Sequence, residues 1–225
     1  MKLLLFDIDG TLLISQGLGR AAKSLAMQEV FGTDAGVMTH PFGGKTDWQI
    51  LNELLHPLGW TTDTIGEHMP RYQQIFAGHM QALSQEHVAT ALPGALELVQ
   101  AMNQRSDVIV GVVTGNTRET APVKLRLGGF DPTWFKVGAY GNESHNRNDL
   151  PKLALERAIA YTGQTIVPQD VWVIGDTLAD VECARAIGAK VAVVLTGFED
   201  KVLLLASQPD VVLEDLTQFE ERVVL

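Results

Sequence analysis

An α/β fold, a doubly wound parallel sheet carrying an inserted helical block, is predicted for this chain of 225 residues. Two observations carry that prediction. Apolar runs of strand length end in small polar or acidic residues near 3–7, 108–114 and 171–176, with helix-like stretches between them. Between 15 and 88 the texture is helical and no strong strand interrupts it. A hydrophobic content of 46% suffices for a full core. Lys and Arg total 17 against 27 Asp and Glu, a net charge of −10, so a polyanion meets a repulsive field and nucleic acid is not an expected partner. The single cysteine, Cys183, permits no internal disulfide, which fits a reducing cytoplasm. No run approaches the roughly 20 apolar residues of a membrane span, and the N-terminal run stops at Asp7, short of a signal peptide, so a cytoplasmic protein is expected.

In chain order, Leu3-Leu4-Leu5-Phe6 reads as a buried strand that ends in Asp7-Ile8-Asp9-Gly10-Thr11. Residues i and i+2 of an extended chain point the same way, so Asp7 and Asp9 are expected side by side with repelling charges. Hard oxygen ligands without clustered Cys or His favour Mg²⁺ as the relieving cation, against the plainer reading of a turn or helix cap. Gly17-Leu18-Gly19-Arg20-Ala21-Ala22 matches a dinucleotide fingerprint in form but stands seven residues beyond Asp9, so hinge glycines are the better reading.

The helical block shows three amphipathic segments, marked by Leu25, Val30 and Phe31, by Trp48, Leu51, Leu54 and Leu55, and by Ile65, Met69, Tyr72, Ile75, Phe76, Met80 and Leu83. This divides the chain into a core, 1–14 and 89–225, and a helical cap, 15–88. Gly43-Gly44-Lys45 lacks the earlier glycine of a P-loop; Lys45 is a candidate contact for an anionic substrate or else a solvated loop residue. His40, His56, His68, His79 and His87 have no metal-ligand spacing and read as surface or packing residues.

Past the Leu92-Pro93-Gly94 breaker, a helix is expected over 95–103 and a buried strand over 108–116. That strand ends in Thr114-Gly115-Asn116, whose hydroxyl and backbone N–H groups suit an oxyanion, although an ordinary N-cap reads the same way. A third strand is expected over 134–140, then a polar loop containing Arg147 and a helix from Lys152 to Tyr161. The strand at 171–176 ends in Asp176, with Asp180 at the entrance of a helix over 181–189; Cys183 within it reads as a core residue. Strands at 190–195 and 211–213 and a helical turn at 216–223 close the chain. In a doubly wound sheet Asp7, Asp9, Thr114 and Asp176 can meet at the carboxyl ends of the strands, the parts needed for phosphoryl transfer.

The ordered set DIDGTLL at 7–13, VVTGN at 112–116, a basic residue at 147 or 152 and IGDTLAD at 174–180 resembles the haloacid dehalogenase superfamily, in its phosphatase branch, over nearly the whole chain. The resemblance implies a Rossmann-like core with a helical cap inserted after the first motif. It implies Asp7 as nucleophile, Asp9 as general acid and base, and Thr114 with Gly115 and Asn116 as holders of the phosphoryl group. Mg²⁺ would be bound by the Asp7 carboxylate, the Asp9 carbonyl and Asp176, with Asp180 ligating directly or through water. The family's third motif is usually a Lys followed by Pro, absent here. Arg147 fits by distance back from the helix and Lys152, the favoured candidate, by distance forward to Asp176. The function implied is hydrolysis of a small phosphorylated metabolite, similar to phosphoglycolate phosphatases; the alternative is a sugar phosphomutase resembling β-phosphoglucomutase. Asp9 separates both from true dehalogenases, and Lys45, Asp47 and Trp48 in the cap would meet the leaving group.

Overall fold

The computed structural model describes residues 1–223. In chain order the elements are β1 (Lys2–Phe6), β2 (Leu13–Ile14), α1 (Leu18–Phe31), α2 (Asp47–Leu55), α3 (Thr62–Leu83), β3 (Thr90–Ala91), α4 (Ala95–Asn103), β4 (Val108–Thr114), α5 (Ala121–Leu127), β5 (Val137–Tyr140), α6 (Leu150–Thr162), β6 (Val171–Gly175), α7 (Leu178–Ala186), β7 (Lys190–Val194), α8 (Lys201–Ala206), β8 (Val211–Leu213) and α9 (Phe219–Arg222). Six strands form a parallel sheet in the order β5-β4-β1-β6-β7-β8. β1 is apolar throughout its buried length because both its faces are covered. Leu3 and Leu5 pack with Ala154 and Val181 of α6 and α7, while Leu4 and Phe6 pack with Leu98, Val99 and Phe219 of α4 and α9. The chain builds β1, β4 and β5 outward in one direction and then returns to place β6 on the other side of β1. That reversal is the topological switch point, and it leaves the carboxyl ends of β4, β1 and β6 adjacent on one rim.

The helices α1, α2 and α3 lie between β2 and β3, which pair antiparallel through Leu13 with Ala91 and Ile14 with Thr90. This short ribbon carries the chain out of the core and back. Two-residue strands have no periodicity, so the sequence gives no sign of them. The three helices enclose an apolar cluster of their own around Leu18, Met27, Leu51, Tyr72 and Phe76. Local chemistry sets their ends: the Thr46 hydroxyl accepts from the Gln49 N–H, Thr61 and Thr64 form a capping box, and Gly32 closes α1 in the left-handed conformation.

Three sequence expectations are corrected. The strand expected from 134 begins at Val137, because Asp131 caps a 3₁₀ turn at Pro132–Trp134 that occupies the earlier residues. The helix expected from 181 begins at Leu178, because Thr177 and Asp180 form a capping box at its entrance. Helix α8 has no counterpart in the sequence reading; only Leu204 of it is buried, while Val202, Leu203 and Leu205 are exposed, so it carries no apolar stripe.

Candidate active site

Asp7 continues β1 by one residue, its N–H donating to the Ile174 carbonyl at 2.8 Å, and this carries its buried carboxylate to the rim. The chain then turns sharply. The Ile8 carbonyl accepts from the N–H groups of both Leu12 and Leu13, and Gly10 sits at φ 86°, where a side chain would be strained and a Cβ would fall 2.3 Å from Asp176 Oδ2. The turn separates the two carboxylates expected side by side. Asp9 swings toward the cap hinge, where its Oδ2 accepts from Lys124 Nζ at 2.6 Å and Asn116 Nδ2 at 2.8 Å, and its Oδ1 from Ser15 Oγ at 3.2 Å. Burial disfavours the Asp9 carboxylate, but the Lys124 ammonium and these hydrogen bonds outweigh it and hold its pKa below the ordinary value. Among the described residues no backbone N–H bonds the Asp9 carbonyl.

The β6 end supplies the other carboxylates. Asp176 Oδ1 accepts from the Thr11 hydroxyl at 2.9 Å. Asp180 is fully buried; its Oδ2 accepts from the Thr177 hydroxyl at 2.7 Å and from the N–H groups of Thr177 and Asp176, and its Oδ1 accepts from Arg147 Nη2 at 2.5 Å. The same Nη2 lies 3.4 Å from Asp7 Oδ1. Arg147, not the favoured Lys152, therefore faces the nucleophile candidate. Asn146 caps a 3₁₀ turn at Arg147–Asp149 that lifts Arg147 onto the rim, whereas Lys152 lies within α6 and is exposed.

On β4 the buried Thr114 hydroxyl accepts from Asn116 Nδ2 at 2.8 Å, so one amide ties Thr114 to Asp9. The cap closes over Gly115. Asp47 N–H donates to the Gly115 carbonyl at 2.9 Å and Trp48 N–H to the Gly141 carbonyl at 3.2 Å, and a Cβ on Gly115 would fall 2.1 Å from the Lys45 carbonyl. The cleft between cap and core is about 520 Å³ and is lined by Asp7, Asp9, Thr114, Arg147 and Asp176 from the core and by Phe42, Lys45 and Ile50 from the cap. Lys45 bonds Glu53 at 2.5 Å, and Glu53 also accepts from His40. Lys23 and Asp47 pair beneath Phe42, with Tyr72 hydroxyl 3.2 Å from Lys23 Nζ.

Carboxylate oxygens of Asp7, Asp176 and Asp180 lie within 4.8 Å of one another. Burial pushes Asp7 up to about 6, against the pull of Arg147 and with the Asp180 and Asp9 charges adding to the shift. Burial and the Asp7 and Asp180 charges push Asp176 well above the ordinary carboxylate range. Asp7 Oδ1 is buried without a hydrogen bond. A buried carboxylate oxygen that accepts no hydrogen bond, beside a second buried anion, fits a hard divalent cation. Asp180 fits less directly, since both its oxygens already accept hydrogen bonds.

Residues 148–219 match the HAD-hydrolase-like family, a segment that includes Asp176 and Asp180. Over that segment the chain is similar to haloacid dehalogenase-type hydrolases. The chain is similar to a phosphoglycolate phosphatase of Synechococcus elongatus, 26% identical over 95% of this chain and 93% of the relative. It is also similar to the pyrophosphatase PpaX of Bacillus pumilus, 23% identical over 95% and 92%. A crystal structure of a hydrolase from Pseudomonas syringae superposes with a TM-score of 0.72 at 25% identity, covering 98% of this chain and 97% of that one. Asp7, Asp9, Thr114 and Asp176, which the sequence resemblance singles out, line one cleft. Lys124 and Ser15 escaped the sequence reading; Lys124 stands in α5, ten residues beyond Thr114, where no motif marks it.

Proposed function

We propose that the chain is a Mg²⁺-dependent phosphatase that hydrolyses a small phosphomonoester through an aspartyl-phosphate on Asp7. The observation that supports this reading is the Asp7 carboxylate itself, buried at the tip of β1 with Oδ1 accepting no hydrogen bond and facing Arg147 Nη2 at 3.4 Å. A Mg²⁺ ion held by the Asp7 and Asp176 carboxylates and the Asp9 carbonyl, with Asp180 beside it, would neutralise charge on the phosphoryl oxygens. Asp7 attacks phosphorus in line; the Asp7 oxygen-to-phosphorus bond forms as the ester P–O bond breaks. Asp9, on the cleft side, gives a proton to the departing alkoxide and then takes one from the water that attacks the aspartyl-phosphate, releasing phosphate and restoring Asp7. The Thr114 hydroxyl, the N–H groups beyond it and Arg147 hold the transferring oxygens as their charge develops. The likeness to phosphoglycolate phosphatase across nearly the full chain supports the substrate class.

The test is phosphate release from a panel of phosphomonoesters that includes phosphoglycolate. Activity with Mg²⁺ that is abolished by a chelator is expected, and Asp7→Asn should lose at least about 1,000-fold while keeping its fold. Equal release with the chelator present would remove the metal from the reaction, and full turnover by Asp7→Asn would remove the covalent route.

A further inference from the structure

We infer that Lys124 is a positioning residue for the acid–base step, fixing the Asp9 carboxyl through Oδ2 in one place at the cap hinge, on the cleft side where the leaving oxygen departs. The inference rests on the phosphatase reading above. Lys124 extends from α5 with its side chain only 8% exposed, and its ammonium meets Asp9 Oδ2 at 2.6 Å. Asn116 Nδ2 meets the same oxygen, and Ser15 Oγ meets the other. Three donors from three segments thus fix a carboxylate that is itself 41% exposed to the cleft. A partly exposed carboxylate on a turn would otherwise sample several rotamers, and proton transfer requires one of them.

The Gly17-Leu18-Gly19 segment takes on a role in the same arrangement. A Cβ on Gly19 would lie 3.3 Å from Lys124 Nζ and 3.4 Å from its Cε, so the glycine at the first turn of α1 leaves room for the ammonium. The lysine from the core, the acid from the β1 turn and the first turn of the cap therefore meet at one point. A buried ammonium without a partner is costly, so the position is held by Asp9 and not merely occupied by a surface lysine.

The test compares kcat/KM for an alkyl phosphate, whose leaving alkoxide needs a proton, with that for 4-nitrophenyl phosphate, whose leaving phenolate does not. Because kcat/KM reports only steps up to the aspartyl-phosphate, the later role of Asp9 toward water does not enter. Lys124→Met is expected to lower kcat/KM on the order of 100-fold for the alkyl ester and less than about 10-fold for the aryl ester, and Lys124→Arg should restore most of the difference. Gly19→Ala gives a second, gentler displacement. It sits at a helical position where alanine favours folding, and it is expected to shift the two esters apart in the same direction by a few-fold without lowering Tm. Equal losses on both esters in Lys124→Met, or in Gly19→Ala should Lys124→Met not fold, would overturn the inference. Absence of phosphate release from either ester by the unaltered protein would remove the phosphatase reading and the inference with it.

Discussion

Arg147 is the residue at which side-chain chemistry decides most. Its guanidinium spans two buried carboxylates, 2.5 Å from Asp180 and 3.4 Å from Asp7, and their charges raise its pKa well above the ordinary value although burial opposes the shift. Both contacts come from Nη2, while Nη1 donates to the Gly44 carbonyl at 3.4 Å, a second direction that the single ammonium of a lysine does not supply. Arg147→Ala is expected to lower kcat about 100-fold or more, whereas Lys152→Ala, on the exposed face of α6, should leave kcat and KM within about twofold; phosphate-release kinetics distinguish them. Asp7, Asp9, Thr114 and Asp176 were legible because each terminates an apolar run of strand length. Arg147 against Lys152 was not, since counting along the chain cannot show that a 3₁₀ turn precedes the helix. Lys124 was illegible for a different reason: a lysine at a helical position reads as solvated until a distant aspartate is seen to receive it.

At the scale of elements, the end of β5, helix α6 and the turn after β4 are joined through Glu143. Its carboxylate accepts from Arg157 of α6 at 2.7 and 2.8 Å, from Arg118 at 2.7 Å and from the Tyr140 N–H at 3.0 Å. Burial opposes ionisation, yet the Arg157 and Arg118 hydrogen bonds hold its pKa at about 2 against an ordinary 4.5. A depressed carboxylate binds its proton more weakly folded than unfolded. Its stabilisation is therefore complete above pH 4.5 and is lost as pH falls from there toward 2. Thermal unfolding between pH 2 and 5 should show Glu143→Gln with a shallower acid limb than the unaltered protein; parallel curves would contradict this. The long apolar strands and the helix at 95–103 were readable from pattern alone, because their periodicity is set by burial on a sheet. The ribbon of β2 and β3 and the exposed helix α8 bury too little to leave such a pattern.

For the whole molecule, the start of α2 meets the loops after β4 and β5 at backbone distance. Gly115 and Gly141 receive the N–H groups of Asp47 and Trp48, and the approach at Gly115 leaves no room for a methyl group. Gly115→Ala is expected to displace the cap loop that carries Lys45 and to lower kcat/KM about 10-fold or more, with a smaller relative change in Tm because the sheet beneath is untouched; activity unchanged from the parent would show that this contact is not needed for turnover. The fold class was readable because strand and helix runs alternate through the core, while the docking of cap on core depends on two glycine carbonyls that no sequence pattern marks. The cleft beside these contacts is lined by the Asp7 carboxylate. The most direct test is mass spectrometry of the protein quenched in acid during turnover with Mg²⁺ and a phosphomonoester. A phosphoryl group on the peptide containing Asp7, absent from Asp7→Asn, is the expected result; steady turnover with every Asp7 peptide unmodified would contradict the account.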